Sequence, residues 1–120
     1  KKNIVLHTKG KTFRSYCYTT DAVSALIFIL LKGNVGEAYN VTNMNTVCSI
    51  KEMAELVCET FKDSNINVQI DLPKDIASFG YNPEMIIKLD SSKLESLGWK
   101  ANVDMKEMFI RLVESMKINK

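Results

Sequence analysis

The sequence predicts a mixed α/β fold, and three observations carry that prediction. Short runs alternating apolar and polar residues recur between helical patterns, residues 22–31 form a nearly unbroken apolar stretch, and Ser49-Ile50-Lys51-Glu52 is a capping box. With 120 residues, 46% of them hydrophobic, the chain suits one compact domain with a modest core.

Asn3-Ile4-Val5-Leu6-His7 and Phe13-Arg14-Ser15-Tyr16-Cys17-Tyr18 read as short strands joined by a hairpin turn at Lys9-Gly10-Lys11. A helix follows from Thr20 or Asp21, either of which can cap its free amides. It ends at Gly33, where a left-handed residue costs little. Asn34-Val35-Gly36 turns the chain into a strand, Ala38-Tyr39-Asn40-Val41. After the capping box, Ile50, Met53, Val57 and Phe61 share one helical face, with Lys51, Glu55, Glu59 and Lys62 on the other. Asn67-Val68-Gln69-Ile70-Asp71-Leu72 alternates as a strand and Pro73 stops it. A short helix from Asp90 or Ser91 closes at Gly98, with Trp99 packing after it. Asp104 and Glu107 cap the last helix, which is expected to carry Met108, Leu112 and Val113 inward.

The apolar helix sets the organisation. Its length is half of what a bilayer crossing requires, and Asp21 and Lys32 bound it, so it reads as a buried core helix. A helix apolar on every side must be covered on every side. Either a sheet and two helices of this chain sandwich it, or a missing lobe or second copy does; the missing surface is expected.

A net charge of +2 argues against a nucleic-acid binder. Lys1, Lys2, Lys9, Lys11 and Arg14 nevertheless precede the first acidic residue, Asp21, and make that end locally positive. A strand edge blunted by lysines and an anion site both fit. Cys17, Cys48 and Cys58 are odd in number and lie within predicted elements, so they read as reduced, buried thiols. His7 is the single histidine and no cysteines have CxxC spacing, so no metal site is expected. Without a recognisable signal peptide or membrane anchor, the expected location is cytoplasmic.

Arg14, Tyr18 and Asp21 at that spacing, the apolar helix, Gly36-Glu37-Ala38-Tyr39-Asn40-Val41, Ser49-Ile50, and Asp90-Ser91-Ser92-Lys93-Leu94 before Leu97-Gly98-Trp99 form an ordered set. This set resembles the C-terminal part of the extended short-chain dehydrogenase/reductase family, the NAD-dependent nucleotide-sugar epimerases and dehydratases. The resemblance runs from about Ile4 to the final helix. It implies that residues 1–120 are a single C-terminal substrate-binding domain, a partial lobe lacking the Rossmann core. The family's chemistry is transient oxidation of a sugar hydroxyl, followed by epimerisation, elimination or decarboxylation. Its Gly-rich turn is absent from the sequence, and none of Tyr16, Tyr18, Tyr39 or Tyr81 has lysine four residues on. The fragment is therefore expected to hold no cofactor and to be inactive alone, with NAD(P) belonging to the parent enzyme.

The resemblance also implies a substrate site. Arg14 matches an arginine that grips the diphosphate of a nucleotide sugar, although a strand arginine also pairs readily with a carboxylate. Asn45 matches a polar position that touches the diphosphate in some dehydratases, but it equally suits a turn. Gly80 and Tyr81 stand where many relatives have a second arginine, and Tyr81 is the residue placed there to stack on a base or sugar. Tyr18, Asp21 and Asn40 are read as structural. Thr42 replaces a common glycine. The implied partners are the nucleotide sugar and a missing N-terminal Rossmann domain, with self-association of the isolated fragment through the surface that domain would cover. The alternative is a free-standing, non-catalytic α/β ligand-binding or interaction module.

Overall fold

The computed structural model describes residues 2–75, 80, 81 and 83–118; Lys1, read above, lies outside them. The chain packs as mixed α/β in two compact units, Lys1–Phe13 with Cys48–Ile87 and Arg14–Val47 with Lys88–Lys120.

In the first unit, β1 (Ile4–Leu6) runs parallel to a strand at Val68–Ile70, with Ile4 opposite Val68 and Leu6 opposite Ile70. Parallel neighbours need a long crossover between them, and a helix at Ile50–Thr60 lies in that stretch of chain. It starts as the capping box predicts. The Ser49 hydroxyl accepts the Glu52 N–H at 3.1 Å, and the Glu52 carboxylate accepts the Ser49 N–H at 2.7 Å.

The expected hairpin between the first two strands does not form. β2 (Phe13–Tyr16) pairs instead with β3 (Asn43–Ser49), the helix just described is α2, and Val68–Ile70 is β4. The turn's carbonyls are used elsewhere: that of Gly10 accepts the Lys51 N–H at 3.0 Å and that of Thr12 accepts the Ile50 N–H at 3.1 Å. Gly10 has φ +66, and an added Cβ would stand 2.9 Å from the Lys51 nitrogen, so this approach requires glycine.

The second unit holds α1 (Thr19–Lys32), α3 (Ser92–Ser96) and α4 (Met105–Ile118). Ala25, Leu94 and Trp99 form its buried centre, and the indole N–H of Trp99 donates to the Ser24 hydroxyl at 3.0 Å. Neither Thr20 nor Asp21 caps α1, because the helix already begins at Thr19, after Tyr18, with no side-chain cap. Asp21 braces the helix start from inside. Its carboxylate is buried and accepts the N–H groups of Asn102 at 3.0 Å and Val103 at 2.9 Å. Gly33 ends α1 in extended rather than left-handed geometry, with φ −68. Glycine is needed there for space, since a Cβ would stand 2.6 Å from the Ile29 carbonyl oxygen. Gly98, with φ +111, does close α3 left-handed.

Two further expectations are corrected. Residues 38–41 form no strand; the strand lies at Asn43–Ser49, because a strand exists only where its backbone finds a ladder, and the later segment finds β2. Leu112 is 51% exposed rather than inward, since α4 loses cover beyond Ile110, while Met108 and Val113 stay half-buried.

The unit leaves one face of α1 bare. Val23, Leu26, Ile27, Leu30 and Leu31 follow helical spacing and are all exposed, from 49% at Val23 to 84% at Leu30. Among the described residues, no helix is long and apolar enough to cross a membrane.

Candidate functional site

Strands β2 and β3 bring two of the three expected site residues onto one sheet. Arg14 lies in β2, half-buried, on the opposite side of the strand from Phe13 and Ser15 by the alternation of a strand. Asn45 lies in β3 rather than in a turn, and it is exposed.

A buried polar network sets the path of β3. The Thr46 hydroxyl accepts the Tyr16 N–H at 3.0 Å, and its own proton has the Asn43 carbonyl at 2.7 Å or the Tyr16 carbonyl at 2.8 Å to serve. Asn43 donates its amide to the Val103 carbonyl at 2.9 Å and accepts the Asn45 N–H at 3.0 Å. Asn45 is thus fixed through its backbone while its residue surface stays open. Thr42 is buried, and its hydroxyl donates to the Tyr16 carbonyl at 3.3 Å. The Ser91 hydroxyl, also buried, reaches the Thr42 carbonyl at 3.2 Å. Such groups are tolerated inside because each has a partner. Sequence reasoning missed Asn43, Thr46 and Ser91. The dense run of hydrogen-bonding side chains Thr42-Asn43-Met44-Asn45-Thr46 was the available signal.

Tyr81 belongs to the first unit, where it is exposed. That unit also carries an open groove of about 590 Å³ lined by Lys11, Phe13, Glu84, Met85 and Ile86. Phe13 pairs with Ile86 in a parallel bridge. The groove thus has an apolar part in Phe13, Met85 and Ile86 and two charged residues of opposite sign, Lys11 and Glu84.

The structural aspartate and tyrosine behave as expected. Beyond the bracing by Asp21, the Arg111 guanidinium lies 5.7 Å from the centre of the Tyr18 ring and is held by Glu107 at 2.7 Å. Asn40 donates to the Asp90 backbone carbonyl at 3.1 Å.

Where the surroundings move an acid, they move it away from neutrality. Burial, aided by Asp21, pushes the Cys17 thiol up, and burial with Glu52 does the same for Cys48. The Lys93 hydrogen bond holds the Glu37 carboxyl below its ordinary range, hydrogen bonds from Ser49 lower Glu52, and those from Ser92 lower Asp90. These thiols stay protonated and these carboxyls stay ionised, which suits structure and charge rather than proton transfer. Among the described residues no cluster of metal-ligating side chains occurs. What β2 and β3 offer is a guanidinium and an amide, both hydrogen-bond donors suited to an anion.

The chain belongs to the extended short-chain dehydrogenase/reductase family of nucleotide-sugar epimerases and dehydratases. Over 117 residues it is 32% identical to the human dTDP-D-glucose 4,6-dehydratase, a match that covers 95% of this chain and 32% of that protein. Its fold matches UDP-glucose 4-epimerase from Thermotoga maritima with a TM-score of 0.77 at 20% identity, over 98% of this chain and 35% of that one. It matches dTDP-glucose 4,6-dehydratase from Bacillus anthracis, solved with NAD, with a TM-score of 0.73 at 21% identity, over 98% and 35%. No protein-family model matches. The chain thus spans about a third of the length of the relatives it matches.

Proposed function

We propose that this chain is the C-terminal substrate-binding domain of an NAD(P)-dependent nucleotide-sugar epimerase or dehydratase. In this reading Arg14 and Asn45 anchor the diphosphate, Tyr81 stacks on the base or sugar, and the chain performs no chemistry alone. The carrying observation is that nearly all of this chain matches only about a third of each relative. Binding energy spent on the nucleotide handle would orient the reacting carbon for catalytic groups placed in the rest of the enzyme.

The residues present do not fit a dinucleotide. Its pyrophosphate needs a Gly-rich turn that carries a strand into a helix N-terminus. Among the described residues, the left-handed glycines are Gly10, Gly36, Gly80 and Gly98, and none of them makes that junction. NAD(P) chemistry would belong to the remainder of the enzyme, and no step of it is assigned to this chain.

The native polypeptide carrying this sequence, captured from its source cells with an antibody, is expected to have an intact mass about three times the 13.6 kDa of this chain. A mass near 13.6 kDa would overturn the reading and favour a free-standing module.

The bare face of α1 supports the same reading, because contiguous exposed apolar surface marks an interface. The 120-residue chain alone is therefore expected to sediment as dimers or larger species and to bind an apolar dye. The double variant Leu26→Asp, Leu30→Asp should sediment as a monomer with its thermal midpoint little changed, since both positions are exposed. A strictly monomeric parent that binds no dye would count against a covered α1 face.

A further inference from the structure

Asn43 is 6% exposed, and its side-chain amide is used in both directions. The nitrogen donates to the Val103 carbonyl at 2.9 Å, and the oxygen accepts the N–H of Asn45, two residues on, at 3.0 Å. Val103 is held in turn, because its N–H donates to the buried Asp21 carboxylate at 2.9 Å. One chain of hydrogen bonds therefore runs from the start of α1, through the approach to α4, to the backbone of Asn45. The Thr46 hydroxyl fixes the following residue against β2 by accepting the Tyr16 N–H at 3.0 Å.

The chemistry of this tie selects asparagine. The side chain at 43 must donate to one backbone carbonyl and accept from a backbone N–H two residues away, over a short reach. An ionised aspartate only accepts, and it would set a buried charge against the Val103 carbonyl. Serine has a single, nearer polar atom, which can accept the Asn45 N–H but leaves the Val103 carbonyl without its donor. The outcome of the tie is at Asn45. That residue is exposed, and its side-chain amide makes no hydrogen bond among the described residues. An amide on an unbraced segment would lose most of the gain from one hydrogen bond to ordering, whereas on a backbone already fixed it keeps that gain.

We propose that Asn43 is a positioning residue that sets Asn45 for hydrogen bonding to the diphosphate of the nucleotide sugar. This rests on the reading that places Asn45 in the substrate site. Asn43 is buried and touches no substrate itself. It removes ordering cost from the contact that Asn45 makes, so its effect falls on ligand affinity and passes through Asn45 alone. Two residues that act as one unit lose their effect together, so removing both should cost no more than removing Asn45.

The test is calorimetric titration of the native polypeptide, saturated with NAD, with dTDP, UDP and GDP, using whichever of the three binds most tightly. Asn45→Ala is expected to weaken that binding about tenfold. Asn43→Ala should weaken it about fivefold, and Asn43→Ser, which keeps an acceptor for the Asn45 N–H, about twofold. The Asn43→Ala, Asn45→Ala double variant should bind no more weakly than Asn45→Ala. If none of the three nucleotides binds, or Asn45→Ala binds as the parent does, the site reading fails and the inference falls with it. If Asn45→Ala weakens binding while Asn43→Ala leaves it unchanged, or if the two losses multiply, the inference alone is overturned. Thermal melting accompanies each variant. Should Asn43→Ala show no folding transition, Asn43→Ser decides. Loss of the transition there too would mean that Asn43 holds the fold and not the site, which also overturns the proposal.

Discussion

Asp21→Ala is expected to lower the unfolding free energy by about 2–4 kcal/mol. One carboxylate oxygen accepts two backbone N–H groups, from Asn102 and Val103, and both the carboxylate and Val103 are buried. Removing it leaves two donors unpaired, at least one of them cut off from water, and each such group costs about 1–3 kcal/mol. The two bonds also tie the start of α1 to the approach to α4, so the loss should spread beyond one helix end. Asp21→Asn retains a carbonyl oxygen able to accept both bonds and should cost much less. Equilibrium denaturation followed by Trp99 fluorescence measures both variants, and equal losses for the two would show that charge, not hydrogen-bond acceptance, matters.

In the native polypeptide, Arg14→Ala should raise the KM for the nucleotide sugar by about 10- to 100-fold, the equivalent of roughly 1.5–3 kcal/mol for hydrogen bonds to a charged group. The guanidinium can bridge two phosphate oxygens with parallel charge-assisted bonds, which a lysine cannot reproduce. Affinity for NAD(P), measured separately, should be unchanged, because the proposed reading assigns the dinucleotide to the rest of the enzyme. Arg14→Lys should recover only part of the loss. An unchanged KM in Arg14→Ala would remove Arg14 from the site. A fall in NAD(P) affinity alongside the KM rise would point to a disturbed fold.

Local signals in the sequence were read correctly where they act over a few residues. The Ser49 and Glu52 capping box, the turn at Gly98 and the cap at Asp104, whose carboxylate accepts the Glu107 N–H at 2.8 Å, depend on neighbours within one helical turn. The amphipathic pattern of α2 likewise needs no distant information, and its acidic and basic positions are exposed. The candidate site was less legible. Arg14 and Asn45 were named through a resemblance, and the network of Asn43, Thr46 and Ser91 that shapes β3 escaped notice. A buried hydroxyl or amide looks like any surface polar residue until its partner, here up to 60 residues away, is known.

The sequence by itself determined the caps that start α2 and α4 and the apolar character of α1, because propensity, capping and periodicity are properties of adjacent residues. Tertiary structure alone decided which strand-like segments became strands. Residues 38–41 have strand composition and 43–49, rich in Asn and Ser, do not, yet it is the second segment that found a ladder, in β2. It also decided that Gly10 serves close approach to Lys51 instead of a hairpin, and that Asp21 braces instead of capping. The physical reason is common to all three: backbone donors and acceptors must be satisfied, and long-range packing, which no local window contains, determines where their partners lie.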